Sequence, residues 1–237
     1  MTKERQLHPL DETLMHQTSR PFRFAGTSDH RFFDRHWLAM TDPDGAAGLV
    51  AGMAFYKNMG VCDGFVAIQS GSRQHNVRFS RMLEDEWTRT RCGDLEVTIV
   101  EPFRRLRLEL AGDSSPMSAD LRFISGYDPW CEAQYVDAST GRVGQEITRY
   151  DQCGRWTGWI DAGNGRVDVA DWWGVRDHSW GVRPGVGGFD RSVADPAAQQ
   201  RESPTLTRAG MIHLALFCDT GEAFIVAHRR ENEAGEP

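Results

Sequence analysis

Residues 105–110 read Arg-Leu-Arg-Leu-Glu-Leu, and this stretch decides the fold class. Side chains of an extended strand point to alternate faces, so the three leucines share one face and the charged residues share the other. The same two-residue period recurs upstream in residues 95–99 and downstream in residues 117–123. The alternation predicts a series of half-buried β-strands.

Turn-forming residues separate the apolar segments on either side of this stretch. The sequence Thr-Asp-Pro-Asp-Gly at 41–45 is typical of a hairpin loop, and it joins predicted strands at 33–40 and 49–57. The sequence Gly-Asn-Gly at 163–165 indicates a second tight turn. Only residues 32–40 show even a weak helical period. The chain is therefore predicted to be all-β, with antiparallel strands and at most short helices.

The domain organisation follows from where this pattern starts and stops. Residues 1–30 are polar and irregular and are predicted to form an N-terminal arm, and residues 31–183 to form a first barrel. Residues 184–210 are rich in Gly and Pro and lack a period, which indicates a poorly ordered linker. Residues 211–237 begin with one more hairpin. Its apolar positions need cover, so we expect it to begin a second barrel or to mediate self-association.

Composition excludes several classes of function. The chain has 34 acidic residues against 27 Lys and Arg, a net charge of −7 and no basic cluster, which argues against a nucleic-acid partner. Its five cysteines are spaced singly, so we predict neither structural zinc nor a disulfide framework, and a cytoplasmic location. The eight histidines form no metal-binding motif, and no cofactor is predicted. No window has the length and apolarity of a membrane span.

The densest run of reactive side chains is Trp-Trp-Gly-Val-Arg-Asp-His-Ser-Trp-Gly-Val-Arg at 172–183. If the run is extended, Arg176, His178 and Trp180 share one face, whereas Asp177 and Ser179 share the other. An Asp-His-Ser triad is therefore disfavoured, because sequence neighbours in a strand point apart. An imidazole can move protons and an indole face can stabilise a cation. The alternative is structural: a core tryptophan, a turn-capping aspartate and a paired arginine.

This run resembles the signature of the hydroxyneurosporene synthase (carotenoid hydratase) superfamily and its uncharacterised relatives. The resemblance is carried by GVRDHSWGVR at 174–183. Three further segments are similar to strands around that signature: LEVTIVEPFRRLRLEL at 95–110, RYDQCGRWTGWI at 149–160 and IHLALFCDTGEAFIV at 212–226. The resemblance implies two lipocalin-like barrels, of which this chain would contain the first complete and the second truncated.

The resemblance also implies roles for residues of the run. Carotenoid hydratases use a His and a Trp in the spacing His-x-Trp, which His178 and Trp180 match, beside an acidic proton donor. The acid is assigned to Asp177, with Asp219 as a second candidate. The candidate substrate-binding residues of the run are Arg176, Trp173 and Arg183.

Two hypotheses of function follow. In the first, the protein is a hydratase, isomerase or lyase that protonates an isoprenoid-like or polyketide-like molecule in an apolar barrel, and a dry cavity keeps the acid strong. In the second, it is a non-catalytic carrier of a lipid or other small hydrophobic molecule, and the segment Arg176 to Gly181 is a structural staple. In both, the partner is a hydrophobic small molecule.

Overall fold

The computed structural model describes residues 9–83, 89–138, 141 and 143–186, together with strands 212–217 and 223–228. The chain divides into two units, Met1–Gly188 and Phe189–Pro237. In the described part, the first unit contains one short 3-10 helix, Pro9–Glu12, and twelve strands. These strands are β1 (Phe32–Thr41), β2 (Ala47–Tyr56), β3 (Val61–Ser70), β4 (Arg73–Met82), β5 (Arg91–Cys92), β6 (Leu95–Glu101), β7 (Arg105–Leu110), β8 (Ser118–Ser125), β9 (Trp130–Cys131), β10 (Tyr135–Asp137), β11 (Gln145–Asp161) and β12 (Arg166–Val182).

Ten of these strands form one antiparallel sheet in the order β4-β3-β2-β1-β12-β11-β8-β7-β6-β5. The sheet curls into a nearly closed barrel, so the prediction of a lipocalin-like all-β fold is confirmed. Strands β9 and β10 add short pairings to β11. The weak helical period at 32–40 belongs to β1, which pairs with β2 on one side and with β12 on the other.

Large apolar side chains fill the middle of the barrel. Several of them have no accessible surface at all, among them Val66, Leu95, Leu108, Leu121, Phe123 and Trp156. A side chain that lined an empty lumen would keep surface accessible to water, so the interior at this level is packed. Apolar side chains therefore occupy the middle of the barrel, and polar groups gather toward one end of β1, β11 and β12.

The barrel closes where β5 meets β3 and β4. The Arg81 guanidinium donates two hydrogen bonds, of 2.9 and 2.7 Å, to the carbonyl oxygen of Arg91. The Cys92 thiol donates to the carbonyl oxygen of Cys62 at 3.3 Å. Side chains rather than a full ladder of backbone hydrogen bonds therefore hold this seam.

Strands β11 and β12 are the longest, with 17 residues each, and form a hairpin around the predicted Gly-Asn-Gly turn. Strand β12 continues through the reactive run, because β1 and β11 pair with it along both edges as far as Val182. The candidate signature, apart from its last residue Arg183, thus lies within one strand.

The second unit contains the predicted C-terminal hairpin. Strands β13 (Ile212–Phe217) and β14 (Ala223–His228) pair antiparallel, with Leu214 opposite Val226. From residue 187 on, the predicted linker lies outside the described residues. In the described part of the chain, no helix has the length and apolarity needed to cross a membrane.

Candidate functional site

The register of β1, β12 and β11 builds three rows of side chains on the interior face of the barrel. From the rim inward, the rows are Asp34, Trp180 and Thr148; then His36, His178 and Tyr150; then Leu38, Arg176 and Gln152. The rows become less accessible in this order, from an Asp34 side chain that is 38% exposed to an Arg176 that is 1% exposed. The prediction that Arg176, His178 and Trp180 share one face is confirmed.

Asp34 and His178 form a hydrogen-bonded pair. The Nε2 atom of His178 lies 2.8 Å from Oδ1 of Asp34, across the β1–β12 pairing. Burial would raise the pKa of Asp34, but the hydrogen bond and the positive charge of His178 outweigh it and hold that pKa below its usual value. The carboxylate is thus ionised at neutral pH and orients the imidazole.

Aromatic rings surround His178 on three sides. Its ring centroid lies 4.3 Å from that of His36, 5.1 Å from that of Trp180 and 5.3 Å from that of Tyr150. Burial, with repulsion from His178, lowers the pKa of His36 to about 3, so this second imidazole is neutral. Burial also raises the pKa of Tyr150, which stays a neutral phenol. His36 and Tyr150 therefore surround His178 with neutral polar groups.

Arg176 lies one row deeper. Its Nε donates to Oε1 of Gln152 at 2.8 Å, and its guanidinium lies 5.5 Å from the Tyr150 ring centroid and 5.7 Å from that of Phe123. Both Nη1 and Nη2 are buried, and within the described part of the chain neither has a hydrogen-bond acceptor. Burial lowers the pKa of this guanidinium, although an arginine remains charged under any ordinary condition.

A surface cleft of about 590 Å³ lies between the β6–β7 turn and the loop after β8, and its lining includes Phe103 and Tyr127. The Gln152 amide donates to the carbonyl oxygens of both residues at 2.7 Å, so it ties the two loops to the row that contains Arg176. Phe103 has a φ of 59°, its side chain is half exposed, and its ring lies 5.5 Å from that of Tyr150.

The other face of β12 carries a separate, buried polar cluster. Asp177 lies there, with Oδ2 at 2.9 Å from Nε of Arg149, and Ser179 accepts a hydrogen bond from Arg35 at 3.5 Å. Asp177 therefore does not face His178, because side chains alternate along the strand, and we correct its assignment as the acid. The carboxylate that contacts His178 is that of Asp34 in β1. Asp219, the second candidate, lies outside the described residues.

Asp151 is fully buried on this same outer face, opposite Asp177 in the β11–β12 pairing. Burial raises the pKa of Asp151 to about 7, and repulsion by Asp177 and Glu132 adds to that effect. Arg149 also contacts Glu132, with its Nη1 at 3.3 Å from Oε1, so one guanidinium serves two of the three carboxyls.

Two further assignments need the same correction. Trp173 lies on the face opposite to Arg176, where the Arg155 guanidinium stacks on its ring. Arg183 stacks its guanidinium on the buried ring of Phe33, 4.8 Å from the centroid. Both residues belong to the outer face of the barrel wall and are separated from the His178 rows.

The glycines of the signature have steric reasons. A Cβ at Gly174 would overlap the buried indole of Trp156 and the carbonyl oxygen of Ala39. Gly181 has a φ of 136°, and a Cβ there would overlap the carbonyl oxygen of Glu146. The close packing of β12 against its neighbours therefore requires glycine at both ends of the reactive run.

A comparison with known families gives one match. Residues 7–205 match the model of DUF8625, a family of unknown function. The chain belongs to this family. No curated protein and no solved structure matches the chain. The DUF8625 match covers the barrel strands and the whole candidate site, but it assigns no chemistry to them.

Sequence reasoning missed the residues that complete the site: Asp34, His36, Tyr150 and Gln152. Residues 33–40 were predicted as a strand, but the position of the His36 ring against His178 was not. No local pattern identifies these partners, since each is brought to β12 by pairing between strands. Among the described residues, no group of three or more potential ligand side chains can hold a metal ion.

Proposed function

We propose that this protein is a proton-transfer enzyme of the hydratase, isomerase or lyase kind, and that it acts on a hydrophobic isoprenoid-like or polyketide-like molecule at the polar end of the barrel. The observation that carries the proposal is the Asp34–His178 pair, which is partly exposed at the rim and walled by aromatic rings. The His-x-Trp spacing shared with carotenoid hydratases supports the same reaction class.

The pair gives His178 a defined role. A carboxylate at Nε2 favours the tautomer or ion with a proton on that nitrogen, so Nδ1 is the atom that gives or takes a proton. Protonated His178 donates from Nδ1 to one carbon of a double bond, and the other carbon becomes cationic. Trp180 offers its ring face to that cation. Water addition or loss of a neighbouring proton to Nδ1 completes a hydration or an isomerisation.

Neutral His36 fits this scheme. A second imidazolium 4.3 Å from His178 would repel both the protonated ring and the cation formed on the substrate. With its pKa lowered to about 3, His36 contributes a polar wall without charge. Asp34 then pairs with His178 alone, while His36 stays neutral.

A second candidate is the non-catalytic carrier. It is favoured by the outer half of the signature, where Asp177 contacts Arg149 of β11 and Ser179 contacts Arg35 of β1. These contacts tie three strands together, as a structural staple would. As finer parts of either proposal, we assign the protein to the cytoplasm, and we assign self-association to the C-terminal hairpin.

The test is proton exchange into carbon. The purified protein is incubated in D₂O with a panel of isoprenoid alkenes and unsaturated polyketide-like ketones, and each compound is analysed by mass spectrometry for deuterium or added water. We expect His178→Gln and Asp34→Asn to reduce the rate at least about 100-fold, the size of a general acid–base contribution. His16→Gln is the matched control, because His16 forms an equally short pair with Asp11 away from these rows.

The carrier alternative predicts a different result. Native mass spectrometry would find a retained hydrophobic molecule that the protein leaves unchanged in D₂O. Full activity in His178→Gln would overturn the assignment of the proton donor.

A further inference from the structure

Arg176 is a buried cation without a counter-ion in the part of the chain that the structure describes. It is 1% exposed, and its sole hydrogen bond among the described residues joins Nε to a neutral amide. Arg149, on the other face of the same strand pair, is more exposed and contacts two carboxylates. A buried charge is costly unless it is paired, so the two arginines are in opposite situations.

Within the described ranges, the interior face supplies no acid to Arg176. The carboxylate of Asp34 lies two rows away and is engaged by His178. The groups nearest to the guanidinium are the rings of Tyr150 and Phe123 and the amide of Gln152. Since Nε is occupied, the two free amino groups, Nη1 and Nη2, form a fork that matches the two oxygens of a carboxylate.

We infer that Arg176 is the binding site for the carboxylate of the substrate, so that the substrate class is an unsaturated carboxylic acid with an apolar chain. This inference rests on the proposed function where it calls the bound acid a substrate. The carboxylate-binding site itself does not depend on that function. Arg176 and His178 are two residues apart on one face of a strand, roughly 7 Å. An acid bound at Arg176 therefore presents a double bond a few carbons from its carboxylate to His178.

The cleft beside Phe103 is the approach to this site. Gln152 links the Arg176 Nε to the carbonyl oxygens of Phe103 and Tyr127, which both line the cleft. The guanidinium is covered in this structure by the Tyr150 ring, against which the Phe103 ring packs. Binding therefore requires these two rings to move outward. The β6–β7 turn, which carries the half-exposed Phe103, is the element that moves.

The experiment measures thermal stabilisation by octanoate, with octan-1-ol as the uncharged probe of the same chain length. Octanoate near saturation is expected to raise the Tm of the wild type by about 5 °C, because a ligand that binds only the folded state stabilises it. Arg176→Met should lose this rise, and Arg176→Lys, which keeps the charge but not the fork, should bind about 10-fold more weakly. Arg166→Met, at an exposed position of the same strand, is the control.

Three results would overturn the site: no rise with octanoate in the wild type, an equal rise with octan-1-ol, or a full rise in Arg176→Met. Without ligand, Arg176→Met should melt at or above the wild-type temperature, because an unpaired buried charge is replaced by an apolar chain of similar length. A large fall in the Tm of both Arg176→Met and Arg176→Lys would make the guanidinium structural and would also overturn the inference. Arg176→Lys keeps the test open if the methionine variant does not fold.

The same probes separate this inference from the proposed function. His178→Gln and Asp34→Asn should keep the octanoate response while they lose deuterium exchange. Octanoate binding without exchange in any unsaturated acid would refute the enzyme and leave the site. Exchange in neutral alkenes without any octanoate response would refute the site and leave the enzyme.

Discussion

The two faces of β12 differ in how their polar groups are satisfied. On the outer face, Asp177 contacts Arg149 at 2.9 Å and Ser179 is fully buried. On the interior face, the guanidinium of Arg176 has two unpaired amino groups and His178 is partly exposed beside Asp34. One run of residues thus places an ion-paired carboxylate on one side of the barrel wall and a partly exposed group of reactive side chains on the other.

The difference teaches how stability and chemistry are kept apart within one strand. Neighbouring side chains of a strand point to opposite faces. The acid that pairs with Arg149 on the outer face therefore does not neutralise His178 or Arg176 on the interior face. If this interpretation is right, substitutions on the outer face change the free energy of unfolding, whereas substitutions at His178 change it little.

The largest effect is expected for Asp151→Asn. In the unfolded chain an aspartate ionises near pH 4, whereas burial raises the pKa of folded Asp151 to about 7. Between these values the folded state holds more protons, so the wild type loses stability as pH rises. The variant should match the wild type at about pH 4 and exceed its free energy of unfolding by roughly 4 kcal/mol at about pH 8.

Urea unfolding across this pH range measures the difference. Asp44→Asn, in the exposed turn between β1 and β2, is the control and should leave the pH dependence unchanged. A parallel pair of curves for wild type and Asp151→Asn would show that the buried carboxyl is ionised in the folded state.

A smaller loss is expected when the outer ion pair is broken. Asp177→Asn leaves Arg149 buried with only Glu132, and removing one partner of a buried pair costs about 3 kcal/mol. Asp168→Asn removes the charge of an 82% exposed side chain that pairs with Arg166 on the same strand. It should lower the free energy of unfolding by less than about 0.5 kcal/mol. Equal losses in the two variants would mean that the outer cluster contributes no more than a surface pair.

The packing of β12 gives the next effect. Gly174→Ala introduces a methyl group against Trp156 and should lower the free energy of unfolding by about 2 kcal/mol, the cost of overpacking a filled interior. Gly126→Ala is the matched control, because a Cβ there meets no atom within 4 Å. If both variants unfold at the same denaturant concentration, the indole has room to move and the interior is less tightly packed than described.

The smallest effect on stability belongs to His178→Gln. The pair with Asp34 is partly exposed, so its loss should cost under about 1 kcal/mol, similar to His16→Gln at the exposed pair with Asp11. The lowered pKa of Asp34 means that its contribution is present above the unfolded value, near pH 4, and is lost as pH falls through the folded value. Differential melting at several pH values checks this, and a loss of several kcal/mol would instead make His178 structural.

The sequence predicted the fold and half of the site, for reasons that particular residues illustrate. Alternation along 105–110 and the Gly-Asn-Gly turn are local signals, and they identified the strands and one hairpin. Alternation also put His178 and Trp180 on one face, as the structure has them. The apolar pattern does not mark the end of β12 at Val182, because a strand paired on both edges does not need alternating apolar residues.

The partners of His178 could not be read from the sequence. Asp34 and Tyr150 reach it through pairing with strands that start far away in the chain, and a one-residue change in register would turn each of them to the other face. The distinction between Arg176 and Arg149 depends on which acids lie across the strand pair. Amino-acid composition and residue spacing reveal neither which residues face His178 nor which acids pair with each arginine.

The pairing of β1 with β12 has a consequence for how the protein is made. Asp34 and His178 are 144 residues apart in the chain. Because ribosomes add about 5–20 residues per second, β12 is synthesised roughly 7–30 s after β1. During that time β2 covers one edge of β1 and the other edge is open to the wrong partners. The reactive imidazole and its carboxylate meet only when β12 fills that edge. In a nascent chain the site is therefore not assembled until β12, the last barrel strand to be synthesised, has paired with β1.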